Sequence, residues 1–226
     1  MKVLVVAAHP DDEVLGCGAT IAAHTARGDE VAVLILGEGG TSRTPSRVAD
    51  DEVVGELASC AREAAARLGI ATIDLAGLPD NRFDSVDLLD VAKLVEAAVE
   101  RHTPEVVYTH HALDLNVDHQ RTHAAVLVAT RPQPGSVVHS VYAFEVPSST
   151  EWAEPIHGVF RPARFVDVSD VIERKVDALG AYESEMRPFP HSRSIEAVRA
   201  LATWRGASVG VAAAEAFEVV REVVTP

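Results

Sequence analysis

Short aliphatic runs separated by helical segments constrain the fold of this chain more than any other feature of its sequence. The first run, residues 3–8, is continuously apolar, as in a strand that is covered on both faces of a parallel sheet. Helical spacing follows until Gly28, and the alternation then repeats, with Asp118 as the predicted N-cap of a later helix. The predicted strands are residues 3–8, 31–36, 71–75, 106–109 and 137–144, and the later helices are residues 50–68, 88–99 and 118–129.

Strands joined by helices of this length need right-handed crossovers. This predicts an α/β fold with a Rossmann-like, doubly wound, mostly parallel sheet flanked by helices. Beyond residue 145 the alternation weakens and prolines become frequent. No flexible linker separates this part, so we expect a single domain. Its predicted parts are a core at 1–145 and a C-terminal extension at 146–226 that folds over the rim of the core, with helices at 169–182 and 194–204 and a last strand at 217–224.

The composition excludes several classes of protein. Of 226 residues, 47% are hydrophobic and 24% charged, which is the globular average and argues against disordered or fibrous chains. The net charge of −14 repels phosphate backbones, so nucleic acid is a poor partner. No apolar run approaches the roughly 20 residues that span a bilayer, and the N-terminal run is too short for a secretory signal. We therefore expect a cytoplasmic protein without a membrane span.

Cysteine usage agrees with that expectation. Cys17 and Cys60 are too few for a disulfide framework and lack the spaced pairs of a thiolate zinc site. Both are predicted to be buried thiols in a reducing compartment.

Polar residues cluster where the predicted strands end, which is where parallel sheets bind ligands. His9, Asp11, Asp12 and Glu13 follow the first strand. A second cluster follows the fourth strand and consists of His110, His111, Asp114, Asn116, Asp118 and His119. Two imidazoles and a carboxylate from separate loops are the donor set of catalytic zinc, with a fourth position open for water. Each motif alone is more often a helix cap than a metal ligand, but their joint position on one rim favours a metal site. The loops predicted to meet on this rim are residues 9–13, 37–47, 78–84 and 110–119.

Two of these loops carry motifs that resemble those of a known family. Ala8-His9-Pro10-Asp11-Asp12-Glu13 matches the signature hexapeptide of the LmbE/PIG-L family of zinc-dependent de-N-acetylases, and residues 114–119 resemble the family's second motif. The resemblance extends over nearly the whole chain. Its other counterparts are the loop from Gly37 to Arg47, Leu78-Pro79-Asp80, Arg205-Gly206 and Ala214-Glu215-Ala216-Phe217.

The resemblance implies a role for each matching residue. Zinc would be held by His9, Asp12 and His119, with Asp11 as the general base and Asp118 orienting an imidazole. Ferrous iron is also compatible with two histidines and a carboxylate. The implied reaction removes the acetyl group from an N-acetylated amino sugar, such as an N-acetylglucosamine-type glycoside.

One position departs from the family pattern. Several members have a histidine three residues before the last metal ligand, whereas this chain has Asn116. Asparagine can donate a hydrogen bond to an oxyanion but cannot supply a proton. The leaving amine would then receive its proton from Asp11, or from His110, His111 or His191.

Arginines in the predicted rim loops stand out in an otherwise acidic chain. A basic cluster there would bind a phosphate or carboxylate of the substrate, which predicts an anionic, nucleotide- or phosphate-linked amidosugar. Ion pairs with nearby carboxylates, such as Glu38, Asp80 and Asp84, would explain these arginines equally well. The residues in question are Arg43, Arg47, Arg82, Arg187 and Arg193.

Other functions remain open on the sequence alone. The same acids and histidines could serve a two-metal phosphoesterase, or the site could be vestigial in a sugar-sensing domain. Within the family, an amidase acting on a thiol-sugar conjugate or an antibiotic intermediate is a further alternative. A homo-oligomer is compatible with all of these.

Overall fold

The computed structural model describes residues 1–43 and 48–224, apart from the side chains of Arg43 and His157. In this part the chain forms one sheet of seven strands flanked by six α-helices and several short 3-10 turns. The strands are β1 (Lys2–Ala7), β2 (Glu30–Gly37), β3 (Thr72–Leu78), β4 (Val106–His110), β5 (Ser140–Phe144), β6 (Arg164–Asp167) and β7 (Ala214–Glu222). The helices are α1 (Asp12–Ala26), α2 (Asp51–Leu68), α3 (Leu88–His102), α4 (Val117–Ala129), α5 (Ile172–Leu179) and α6 (Ile195–Ala207).

The strand order is β3-β2-β1-β4-β5-β7-β6, which confirms the predicted Rossmann-like, mostly parallel sheet. Strands β1 to β5 are parallel, and β7 runs antiparallel to both of its neighbours. The chain turns from one half of the sheet to the other between β1 and β4, so their carboxyl ends form the switch point at which such sheets bind ligands.

Two strands begin three residues away from their predicted starts, for reasons of pairing. β5 begins at Ser140 rather than residue 137, because its parallel register with β4 starts opposite Val106. The last strand begins at Ala214 rather than residue 217, since Ala214 pairs with Asp167 of β6. The sequence did not predict β6, because four residues are too few to show a pattern.

The helix predicted at 169–182 was too long at both ends. Only Ile172–Leu179 is α-helical, since residues 168–171 form a turn in which the Val168 carbonyl accepts the N–H groups of Val171 and Ile172. A single 3-10 turn, Gly180–Tyr182, follows the helix.

Apolar side chains of β1 point alternately to the two faces of the sheet. Val3 and Val5 pack in a cluster with α1, α2 and α5, whereas Leu4 and Val6 pack in a cluster with α3 and α4. Each of the four is at most 1% exposed. Because both faces are covered, β1 reads as a continuous apolar run in the sequence.

Helix α1 is interrupted at Cys17, whose φ of −146° and ψ of 24° are not helical. The backbone groups left unpaired at the interruption form hydrogen bonds with side chains from the C-terminal part of the chain. The Glu215 carboxylate accepts the N–H groups of Ala19 and Thr20, and the Lys175 ammonium donates to the Leu15 carbonyl and to Glu215 at 2.6 Å. Residues beyond 145 are thus built into the core.

Cys17 itself is buried as predicted, whereas Cys60 is only half-buried.

Replacing Glu215 tests this internal ion pair. Glu215→Gln leaves the Lys175 charge buried without its counter-ion, so we expect the free energy of unfolding to fall by about 3–5 kcal/mol. The measurement is urea unfolding followed by circular dichroism. Glu173→Gln, which removes an ion pair with Arg199 on the surface, is the matched control and should leave the unfolding free energy nearly unchanged. Equal losses in the two variants would contradict the assignment.

None of the helices in residues 1–43 and 48–224 combines the length and the apolar character that crossing a bilayer requires.

Candidate functional site

A polar cavity of about 120 Å³ lies at the carboxyl ends of the first four strands. Loops that follow β1, β2, β3 and β4 all contribute to it, as the sequence predicted. The extension adds Glu185 and Arg193 to its wall. The residues contributed by the four loops include His9, Asp11, Gly39, Ser42, Asp80, Asn81 and Asn116.

The structure brings His9, Asp12 and His119 together, and of these three residues His9 lines the cavity. One oxygen of Asp12, Oδ2, lies 3.2 Å from His9 Nδ1 and 3.1 Å from His119 Nε2. The other, Oδ1, is buried and has no hydrogen-bond partner among the described residues. A buried carboxylate oxygen without a partner is costly unless something binds it. Two imidazoles and this carboxylate fit the donor set of a zinc or ferrous ion.

The outer nitrogen of each imidazole faces another carboxylate. His9 Nε2 lies 2.9 Å from Asp118 and 3.2 Å from Asp80, and His119 Nδ1 lies 3.0 Å from Asp114. This is how metal-binding histidines are usually held in one tautomer and orientation. Asp118 orients the distant His9 rather than the adjacent His119, and its other oxygen accepts the backbone N–H of Phe83.

Sequence reasoning did not assign roles to Asp80 and Asp114. Asp114 could have been found from its position five residues before His119, in the same acidic motif. Asp80 had only the resemblance of residues 78–80 to indicate it, because the contact with His9 joins residues that are distant along the chain.

The electrostatics of the cluster favour positive charge between the carboxylates. Burial lowers the pKa of an imidazole, yet the charge of Asp12 and the bond with Asp114 raise the pKa of His119 to about 9. Burial is likewise overcome at His9, where Asp118 and Asp12 raise the pKa well above its usual value. Burial would raise the pKa of Asp12, but the His119 charge holds it well below the ordinary range. A site that favours protonated imidazoles in this way is also electrostatically suited to a cation.

Asp11 is held in a strained backbone conformation beside the cluster, with a left-handed φ of 106°. Its N–H donates to the buried Glu13 carboxylate, which also accepts the Tyr182 hydroxyl at 2.6 Å. Its own Oδ2 lies 2.8 Å from Arg193. Burial raises the pKa of Asp11 to about 7, with the Arg193 charge acting in the opposite direction. The carboxylate therefore has the basicity expected of a proton acceptor near neutral pH.

Asn116, and not Asp118, caps helix α4, which corrects the prediction. The Asn116 Oδ1 accepts the Asp118 N–H at 2.8 Å, so the helix begins at Val117. The amide nitrogen donates to Asn81 Oδ1 at 2.9 Å. Asn116 lines the cavity as well.

Of the three candidate proton donors, His110 is unsuitable. Burial and the His119 charge hold its pKa well below the usual value, and its Nε2 accepts the Ala8 N–H. His111 faces Glu218 at 2.7 Å. His191 accepts the Arg193 N–H and packs edge-on against Trp152. In the described part of the chain none of the three rings lines the cavity, so a catalytic role for His191 stays a prediction.

The predicted arginine cluster is only partly described. Arg193 lines the cavity but pairs with Asp11. Arg82 does not line it, and its buried Nε has no partner among the described residues. Arg187 is exposed and donates to the carbonyls of Ser184 and Met186. The Arg43 side chain and the whole of Arg47 lie outside the described residues.

Fold and site together define a class of protein: a Rossmann-like α/β domain with a histidine and carboxylate group, suited to a metal ion, at the switch point of its sheet. Residues 4–130 match the family model described as PIG-L: GlcNAc-PI de-N-acetylase. This match covers more than half of the chain, and the chain belongs to that family.

Curated relatives and a solved structure are similar to this chain over most of its length. The chain is 28% identical to the "probable N-acetyl-alpha-D-glucosaminyl L-malate deacetylase 2" of Bacillus cereus, over 81% of this chain and 83% of the relative. It is 28% identical to the diacetylchitobiose deacetylase of Thermococcus kodakarensis, over 81% and 70%. The crystal structure of GalB, the 4-carboxy-2-hydroxymuconate hydratase of Pseudomonas putida KT2440, superimposes with a TM-score of 0.78 at 26% identity, over 100% and 99% of the two chains.

Metal content tests the cluster directly. We expect purified protein to bind one Zn²⁺ per chain, and His119→Ala or Asp12→Asn to lose it, because each variant removes a donor. Elemental analysis after dialysis gives the stoichiometry. His111→Ala is the control, since this ring faces Glu218 outside the cavity. A stoichiometry of two ions would instead favour the phosphoesterase, with His9, Asp80 and Asp118 as the second group.

Proposed function

We propose that this protein is a metal-dependent hydrolase that removes the acetyl group from an N-acetylated amino sugar. The observation that carries the proposal is the convergence of His9, Asp12 and His119 at the switch point, where His9 and the neighbouring Asp11 line the cavity. The family match and two relatives named as deacetylases of different N-acetylglucosamine compounds support the same reaction.

The residues that would hold the metal are His9, Asp12 and His119, with zinc as the first choice and ferrous iron as the alternative. When bound in such a site, the ion supplies Lewis-acid polarisation of a carbonyl and lowers the pKa of water from about 15.7 to about 7. Asp118 and Asp114 keep the two imidazoles oriented through their outer nitrogens.

Asp11 takes the proton of the attacking water. Its carboxylate lines the cavity, and one of its oxygens is fixed by Arg193. With a pKa of about 7 it can accept a proton and release it again at neutral pH. Asp11 can therefore return this proton to the leaving amine, so the reaction does not need His110.

Asn116 stabilises the oxyanion that develops on the amide carbonyl. Its amide nitrogen carries two N–H groups, of which one donates to Asn81. The second N–H is the donor that we assign to the oxyanion, since Asn116 lines the cavity. The side-chain oxygen of the same residue is used for the helix cap.

The substrate is proposed to be an N-acetylglucosamine-type glycoside with a polar substituent. Asp80, Asn81 and Glu185 line the cavity and can bind sugar hydroxyls. A phosphate or nucleotide on the sugar would need Arg43 or Arg47, because Arg193 already pairs with Asp11. Neutral and phosphorylated N-acetylhexosamines should therefore be compared in one screen.

A hydratase is the second candidate, because the similarity to the Pseudomonas putida enzyme extends over the whole chain. Hydration adds water across a carbon–carbon double bond and releases no acid. Acetate release from N-acetylhexosamine glycosides, thiol-sugar conjugates and N-acylated antibiotic intermediates therefore distinguishes the two reactions. Water addition to an unsaturated tricarboxylic acid such as 4-carboxy-2-hydroxymuconate, with no acetate from any amide, would reject the deacetylase.

Asp11→Asn tests the general base. Asparagine keeps the size of the side chain but cannot accept a proton, so we expect kcat to fall about 10²- to 10⁴-fold. Metal content should stay at the wild-type level, because Asp11 is not a proposed ligand. The measurements are acetate release and elemental analysis on the same preparation. Robust turnover in this variant would falsify the assignment of the base.

Asn116→Ser separates the two uses of this side chain. Serine caps a helix about as well as asparagine but has no amide N–H. We expect the melting temperature to change little, while kcat falls about 10²-fold through loss of the oxyanion donor. Unchanged kcat would assign Asn116 to the helix cap alone.

A further inference from the structure

Three consecutive hydroxyl residues, Ser148, Ser149 and Thr150, follow β5 and contact neither the cavity nor the proposed metal ligands directly. They are called here the 148–150 segment. It touches the two residues that hold the reacting groups: Asp114 beside His119, and Arg193 beside Asp11.

On one side the segment holds Asp114. Both hydroxyls of Ser149 and Thr150 donate to this carboxylate, the second at 2.5 Å, and the Asn116 N–H adds a third bond at 2.9 Å. These bonds fix the carboxylate that lies 3.0 Å from His119 Nδ1. Asp114 is therefore held facing the imidazole.

On the other side the segment holds Arg193. The Arg193 Nε donates to Ser148 Oγ at 2.6 Å, and Nη1 of the same guanidinium lies 2.8 Å from Asp11. Ser148 and Asp11 both have left-handed backbones, with φ of 72° and 106°. A single guanidinium thus joins two strained residues from loops that follow different strands.

The segment is itself rigidly held. Thr150 Oγ1 accepts the Val146 N–H at 2.8 Å, and the Glu151 carboxylate accepts the N–H groups of Ser148 and Ser149. Ser149 and Thr150 are 6% and 9% exposed. Since these two hydroxyls are buried and engaged, they act through Asp114 and not on a substrate.

We propose that the 148–150 segment is a common support that positions both the general base and a metal ligand. Ser149 and Thr150 set His119 through Asp114, and Ser148 sets Asp11 through Arg193. The inference rests on the proposed function and assigns positioning roles to residues that do not line the cavity. It also makes Arg193 a positioning residue for Asp11 and not primarily an anion receptor.

Two adjacent serines allow a matched experiment. Ser149 acts on the metal-ligand side, through Asp114 and His119, whereas Ser148 acts on the general-base side, through Arg193 and Asp11. The same Ser→Ala change therefore tests each side separately. For Ser149→Ala we expect the Zn²⁺ dissociation constant to rise about tenfold. This is the smallest effect expected when a residue that supports a metal ligand is removed. Its lost activity should return at saturating Zn²⁺. For Ser148→Ala we expect an unchanged dissociation constant and about tenfold lower kcat, through misplacement of the base, at constant KM and without recovery on added Zn²⁺.

Zn²⁺ affinity is measured by competition with a chromophoric chelator, and turnover by acetate release. Thr150→Val is the second variant of the metal-ligand side. Ser208→Ala is the control for the substitution, because the Ser208 hydroxyl donates to the Arg205 carbonyl on the surface. Thermal melts establish that each variant is folded.

The proposal is decided by whether the metal-ligand variants and the general-base variant differ in Zn²⁺ affinity and in kcat. Equal Zn²⁺ affinities in Ser148→Ala, Ser149→Ala and Ser208→Ala, or equal weakening in the first two, would overturn the proposal. If Ser148→Ala raises KM for anionic substrates alone, the role of Arg193 is to bind substrate and not to position Asp11. Absence of acetate release from the wild-type protein would reject the proposed function, and the Zn²⁺ affinities of the two serine variants would still decide this inference.

Discussion

The parallel pairing of β1 with β4 is the constraint on which the rest of the site depends. These two strands are adjacent in the sheet, with Val3 opposite Val106, although about a hundred residues of chain lie between them. His9 lies in the loop that follows β1, Asp12 begins helix α1, and His119 lies in the first turn of helix α4, which follows β4. A backbone ladder therefore sets the separation of the two imidazoles, and the Asp12 carboxylate completes the group at 3.2 Å and 3.1 Å.

Around this group the molecule uses carboxylates in three different electrostatic states. Asp12 and Asp114 are kept charged, despite burial, by the imidazole of His119. Burial raises the pKa of Glu13 to about 8, although the Tyr182 hydroxyl acts in the opposite direction, and this carboxyl group accepts the Asp11 N–H. The pKa of Asp11, about 7, lies between these extremes. The different environments thus give Asp11, Asp12 and Glu13, which are neighbours in the sequence, clearly different pKa values.

Much of this was predictable from the sequence because the signals are local. Continuous apolar runs identified the parallel strands, and the acidic and histidine motifs after β1 and β4 identified the cluster. The contacts that the sequence could not predict join distant residues: His9 with Asp80, Asp11 with Arg193, and Ser149 with Asp114. Local patterns also misled where two residues competed for one role, as with Asn116 and Asp118 at the start of α4. β6 was missed because a strand of four residues shows too little pattern, and its partner follows it by almost fifty residues.

The interruption of α1 at Cys17 has a consequence for how the molecule is divided. The first turn of this helix carries Asp12 and Glu13, while in the described part of the chain the backbone groups freed at the break are satisfied by Lys175 and Glu215. The parallel half of the sheet consequently does not form a self-sufficient unit. A cut after β5 would separate the motif from His9 to Glu13 from the residues that complete the hydrogen bonds of its helix, and would leave those backbone groups unpaired.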